Sequence, residues 1–223
     1  INFSNNLSGL TILLTSGQLA LDKNLTIDAS ALPGGISISG NNASRAFYIP
    51  YGVTNALNRL TITGCVPTQS PLVGYGGAIC LEGMLNLTNC TLAGNSANVG
   101  GAILVRSSAA AIINNCTFSQ NSAGFGGAIQ AEGPITANNS TFWANTGTNS
   151  GGAINVSFTP TLSFNSCTLS GNSSALGGGL NLVTNALLTT IYNTIIAANT
   201  GGSGSNIAGA FPSVGANLTN GRS

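Results

Sequence analysis

The chain contains no histidine, and only nine of its 223 residues are charged. Without an imidazole, Ser-His and Cys-His nucleophilic sites are excluded and the usual zinc ligand sets are crippled. Five basic against four acidic side chains leave a net charge of +1. No basic field exists to steer nucleic acid or anionic lipid, so nucleic acid is not an expected partner. Long apolar runs are missing too. The longest near the N-terminus, Leu10 to Leu14, is far too short to cross a bilayer, and no basic stretch precedes an apolar signal segment. No membrane span is expected, and because Ile1-Asn2-Phe3 already reads as strand, the sequence looks mature or trimmed. Aromatic residues are scarce and form no visible sugar-binding platform. Low charge with few aromatics would suit disorder, but apolar residues recur in strand-like alternation, so the chain should fold.

What is present is a repeat. Gly76-Gly77-Ala78-Ile79 recurs as Gly100-Gly101-Ala102-Ile103, Gly126-Gly127-Ala128-Ile129, Gly151-Gly152-Ala153-Ile154 and Gly177-Gly178-Gly179-Leu180. A second phrase follows at nearly constant offset: Cys90-Thr91-Leu92 to Asn95, Cys116-Thr117-Phe118 to Asn121, Ser140-Thr141-Phe142 to Asn145, and Cys167-Thr168-Leu169 to Asn172. Thr194-Ile195-Ile196 to Asn199 is a degenerate copy. The period is about 25 residues, and no stretch carries apolar residues at helical spacing, so each period is one coil of short strands. One coil cannot bury its own apolar side. Coils must stack about 4.8 Å apart, with inward side chains forming a continuous column. The predicted fold is all-β, a right-handed parallel β-helix.

In that register Leu85, Leu87, Leu92, Ile112, Phe118, Ile135, Phe142, Leu162, Phe164 and Leu169 are expected to face inward. Glycine pairs suit corners that need positive φ or close backbone approach. Asn95, Asn121, Asn145, Asn172 and Asn199 are expected to form a ladder at another corner, each amide bonding to the next coil. Residues 1–73 fit looser coils of the same kind, with short strands such as Leu25-Thr26-Ile27 and Leu60-Thr61-Ile62-Thr63 between Ser, Gly, Pro and Asn turns. Residues 74–223 are regular, and 1–223 reads as one domain.

The Gly-Gly-Ala-Ile phrase paired with Phe/Leu-x-x-Asn resembles the repeat of the chlamydial polymorphic outer-membrane proteins and of related bacterial β-helix surface proteins. The opening LTILLTSGQLALDKNLTIDAS and the closing NTIIAANTGGSGSNIAGAFPSVGANLTNG look like first and last coils of such secreted proteins. The resemblance implies export, a place at the cell surface, and a structural or adhesive role. No anchor, barrel or sorting signal is seen after Asn220, and neither terminus shows a charged or helical cap. Expected partners are copies of the same chain, end to end or side by side, and host or matrix glycans.

The enzymatic alternative is a polysaccharide lyase or hydrolase, which needs clustered carboxylates. Asp22 and Asp28 sit in early coils, and Glu82 and Glu132 lie two coils apart. No catalytic residue, cofactor or metal site is therefore assigned. Glu82, Arg106 and Glu132 each lie six residues after the first glycine of their motif and should stack as a charge ladder, either a surface salt-bridge row or a ligand patch. Cys90, Cys116 and Cys167 share a rung position with Ser140 and Thr194; buried thiols are favoured over a Cys90–Cys116 bridge. Cys65 and Cys80 bracket the excursion from Val66 to Ile79 and are the better disulfide candidate. Thr91, Thr117, Thr141 and Thr168 should point outward in single file, as an ice-binding face would need, though β-propensity alone explains such a file. Tyr75, Val99, Phe125 and Leu176 share the position before the glycines, either as an exposed ridge or packed inward at a corner. Sequons such as Asn89-Cys90-Thr91 are numerous, as expected in a chain rich in Asn, Ser and Thr.

Overall fold

A computed structural model describes residues 1–68, 72–158, 160–182, 189–209 and 217–219. The residues after Leu218–Thr219, where a sorting signal was sought, lie outside the described set.

All strand pairings are parallel and join one coil to the next. A nine-stranded first sheet runs Thr11–Leu13, Ile36–Ser39, Leu60–Thr63, Thr91–Ala93, Thr117–Ser119, Thr141–Trp143, Thr168–Ser170, Ile195–Ala197 and Leu218–Thr219. An eight-stranded second sheet collects the strands after the glycine corner, from Leu19–Ala20 to Ile207–Ala208. A seven-stranded third sheet runs from Leu25–Asp28 to Thr189–Tyr192. A fourth sheet of Ser122–Phe125, Thr146–Ser150, Ser173–Leu176 and Thr200–Ser203 lies in sequence between the first and second. The fold is the parallel β-helix that the repeat predicts.

Three left-handed corners turn each regular coil, one of them at Gly94, Gln120, Ala144, Gly171 and Ala198, each just before an Asn of the Asn95 series. The glycine corner puts Gly76, Gly100, Gly126, Gly151 and Gly177 at φ between 57° and 67°, where a Cβ is strained. The second glycine is needed for a different reason: a Cβ on Gly77 would run into the carbonyl oxygen of Gly101 on the next coil. At a second corner Asn89, Asn115, Asn139 and Asn193 have φ of 48° to 54°, the conformation that Asn tolerates best after Gly. The sequons at Asn89 and Asn115 follow from this geometry. Asn makes the corner, the next residue points inward, and an outward Thr begins the strand.

Inside, like residues stack. Phe118 and Phe142 lie in register with ring centroids 4.9 Å apart and planes within 10°, a contact contributing about 0.5–1.5 kcal/mol beyond area burial. Ile112 departs from expectation. It faces outward at 39% exposure, because Ala111 pairs with Leu85 and Ile113 with Leu87, and side chains one residue apart point to opposite faces. At the N-terminal end, a one-turn 3₁₀ segment, Asn5–Leu7, accompanies Phe3 and Leu7, which pack against the core.

Candidate functional site

Two hydrogen-bond ladders run along the axis inside the coils. In the first, Asn95, Asn121, Asn145, Asn172 and Asn199 are buried, and each Nδ2 donates to the Oδ1 of the next at 2.8–3.0 Å. Asn199 passes the ladder to Asn206 at 2.9 Å, a member the repeat alignment missed because only seven residues separate the two. Each Oδ1 also accepts the backbone N–H of the preceding rung, and each Nδ2 also donates to a carbonyl further back, as Asn145 does to Phe118 at 2.9 Å. A buried corner that would otherwise orphan an N–H and a C=O is thereby satisfied.

The second ladder is the Cys90, Cys116, Ser140, Cys167, Thr194 column, all buried. Cys116 Sγ, Ser140 Oγ and Thr194 Oγ1 accept the N–H of Cys90, Cys116 and Cys167 at 3.4, 3.1 and 3.2 Å. Every member donates back to the carbonyl two residues before it, from 2.8 Å for Ser140 to 3.4 Å for Cys167. Cys, Ser and Thr alternate here because each offers one donor and one acceptor. All five cysteines are free. In-register neighbours about 4.8 Å apart hold their Cβ atoms wider than the 3.5–4.5 Å of a disulfide.

The proposed Cys65–Cys80 bridge is not formed. Cys65 directs Sγ to the Thr63 carbonyl at 3.4 Å and its N–H to Asn95 Oδ1 at 3.1 Å. Cys80 belongs to the outward file of Ile79–Leu81, between Tyr48 and Leu104. Burial pushes Cys65 up to about 11 and also raises Cys80 and Cys167. The excursion is held instead by Arg45, 1% exposed. Its Nε donates to the Gly76 carbonyl at 2.8 Å and its Nη2 to the Leu72 carbonyl at 2.8 Å, with further bonds to Tyr75 O and Gln18 Oε1. Burial lowers the pKa of this guanidinium. Arg45 sits one residue before Ala46, the partner of Ala78, and so occupies the place of the second glycine. From there it caps carbonyls in a coil where the fourth sheet has not begun. Nothing in the repeat points to it, since the motif is unrecognisable there.

Near Arg45 lies the predicted charge row. Arg106 Nε is 4.0 Å from Glu82 Oε1, the one ion pair among the described residues, and Glu132 on the following coil is not within that reach. Tyr48 donates its hydroxyl to Glu82 Oε2 at 2.7 Å, and burial together with this bond pushes Tyr48 up to about 12. Arg106 Cζ lies 5.5 Å from the centroid of the Tyr75 ring, a cation–π contact. Three of the nine charges, Arg45, Glu82 and Arg106, and two of the four tyrosines thus gather on three coils. These groups largely satisfy one another, and Arg45 and Arg106 both fasten Tyr75. Glu82 and Glu132 are two rungs apart, about 10 Å by strand spacing, with Arg106 on the rung between them. No group of three His, Cys, Asp or Glu that could hold a metal occurs among the described residues.

The same outward file continues as an amide ladder not foreseen from sequence. Asn155 Nδ2 donates to Gln130 Oε1 at 2.8 Å, Asn181 Nδ2 to Asn155 Oδ1 at 2.7 Å, and Gln130 Nε2 to Ser157 Oγ at 2.9 Å. The signal was present as the residue after each Gly-Gly-Ala-Ile, which changes from Cys and Leu to Gln and Asn. On the row before the glycines, Tyr75 and Phe125 are 40% and 43% exposed and Leu176 is similar, but Val99 is half-buried and the buried Ser150 stands between Phe125 and Leu176, so the row is exposed only in parts. On the first sheet the outward threonines are half-buried and share the face with a second file, Thr63, Ala93, Ser119, Trp143 and Ser170. The exposed Trp143 interrupts any flat ice-matching surface.

No helix among the described residues is long and apolar enough to cross a membrane. A family model described as right handed beta helix region matches residues 77–221, more than half of the chain. No curated protein and no solved structure matches.

Proposed function

Because the chain belongs to the right-handed beta helix family, we propose that it is a rigid, non-catalytic rod outside the cell, a fibre, sheath or adhesin-passenger element whose copies associate. The observation that carries this reading is the unbroken amide ladder from Asn95 to Asn206. The chain's polar chemistry goes chiefly into joining coil to coil, and the charged cluster at Glu82 and Arg106 goes into fastening a loop. Association is favoured by a net charge of +1, which gives little mutual repulsion, and by the exposed apolar side chains of Tyr75, Phe125 and Leu176. The resemblance to bacterial surface repeats supports export. Sedimentation velocity of the intact native protein over a range of concentrations tests association, with species larger than the monomer expected. A monomer at every concentration refutes it. Release of reducing or unsaturated sugar from a polysaccharide panel refutes the non-catalytic reading.

A further inference from the structure

The last charged residue before Arg222 is Glu132, so residues 133–221 carry no charge at all. Within this neutral stretch the fourth sheet forms a shallow depression of about 490 Å³, lined by Thr146, Thr148, Ser173, Ser174 and Thr200 with small residues between them. Thr146, Ser173 and Thr200 are in register on three successive coils, and the Thr146 and Ser173 hydroxyls lie 3.2 Å apart, bonded to each other in a file along the axis. Each strand of this sheet begins just past the corner next to which Trp143, the chain's only tryptophan, stands 51% exposed. Trp143 has only the small Ser119 and Ser170 as its register neighbours, and about half of its surface stays exposed. Its Nε1 and Cδ1 lie across the Gly171 turn, 3.4–3.5 Å from where a Cβ would stand, two residues before Ser173.

We propose that Trp143 and this depression form a binding subsite for an uncharged polysaccharide. The indole stacks on the apolar C–H face of one pyranose ring, and the file of hydroxyls bonds to successive sugars of an extended chain lying along the axis. A charged polymer would bring its charges to a surface with no counter-charge, and a protein partner of ordinary size would need a wider apolar area than one indole. The proposal goes beyond the rod reading, which stands whether or not a glycan binds.

Because Trp143 is the only tryptophan, intrinsic fluorescence of the intact protein reports this site alone. The probes are β-1,4-linked oligomers of glucose, xylose, mannose and N-acetylglucosamine, with oligogalacturonate as the anionic arm. A saturable shift with a neutral oligomer, at an affinity between about micromolar and millimolar, is expected. Calorimetric titration should show affinity falling at least about tenfold in Trp143→Ala and in Thr146→Val/Ser173→Ala, with circular dichroism and melting unchanged in the outward-facing Trp143 variant. Absence of a saturable change with every neutral oligomer overturns the proposal. So does binding that Trp143→Ala leaves intact, or a preference for the anionic oligomer.

Discussion

Truncating Asn145 tests the stacking account at its centre. Its Oδ1 accepts the backbone N–H of Asn121 at 3.0 Å and Asn121 Nδ2 at 2.9 Å, while its Nδ2 donates to Phe118 O and Asn172 Oδ1, both at 2.9 Å. Asn145→Ala removes all four bonds. Asn121 keeps its donation to Leu92 O, and Asn172 Oδ1 still accepts the Asn145 N–H, so the clearest orphans are the Asn121 N–H and one hydrogen of its amide. At about 1–3 kcal/mol per buried unsatisfied group, the loss should be about 4 kcal/mol. Asn145→Asp has the same shape, but turns a second acceptor oxygen toward Phe118 O and Asn172 Oδ1. Burial and those acceptors must raise its pKa above the unfolded value of about 3.9. A raised carboxyl stabilises below the unfolded pKa, and that contribution is lost as pH rises through the folded pKa. The Asp variant should therefore recover relative to the parent on acidification, and the Ala variant should not. Guanidinium midpoints from pH 3 to 7, with hydrogen exchange at the Asn121 amide, measure both effects. A cost below about 1 kcal/mol for Ala, or an Asp variant without differential pH dependence, would refute the ladder as a source of stability.

Arg45→Met should cost about 3 kcal/mol or more by uncovering several buried carbonyls, and limited proteolysis should find new cleavage near Leu72 to Tyr75. In the alkaline range Cys65, at about 11, and Tyr48, at about 12, are both raised; their contribution is full below pH 9 and lost as pH rises through 11 to 12. Denaturation midpoints should accordingly fall over that window, less steeply in Cys65→Ala. Glu82→Gln removes the charge that Tyr48 faces, so spectrophotometric titration should show one tyrosine moving from about 12 toward 10. Cys116→Ser should be neutral within about 1 kcal/mol, since Ser140 already fills the same rung, whereas Cys116→Val orphans the Cys90 N–H and should melt lower.

The regular coils were legible because every rung imposes the same physical demand. The glycine corner forbids a Cβ by φ at one position and by contact at the next, so Gly76-Gly77 must recur. The corner that follows the first sheet needs one buried side chain that both donates and accepts, so Asn95 recurs. A repeat makes such demands visible without an alignment of relatives. Ile112 escaped because Ala110, Ala111, Ile112 and Ile113 fit either face, and only strand pairing resolves which pair of residues faces the core.

The charged cluster was legible only in part, for a different reason. Glu82, Arg106 and Glu132 share a repeat position, and that placed them on one row. The partners that determine what the row does, Tyr48, Tyr75 and Arg45, belong to a coil whose motif has decayed and to an excursion that lengthens one coil to 30 residues, from Thr61 to Thr91, against 26 from Thr91 to Thr117. Repetition conveys what each coil requires of its neighbours, and Arg45 stands where that regularity stops. It replaces a glycine, caps carbonyls that no strand reaches, and holds Tyr75 where Arg106 meets it. The same reasoning sets Trp143 apart: its register neighbours Ser119 and Ser170 are small, stacking does not require an indole there, and a residue that the fold does not need is the one to examine for a ligand.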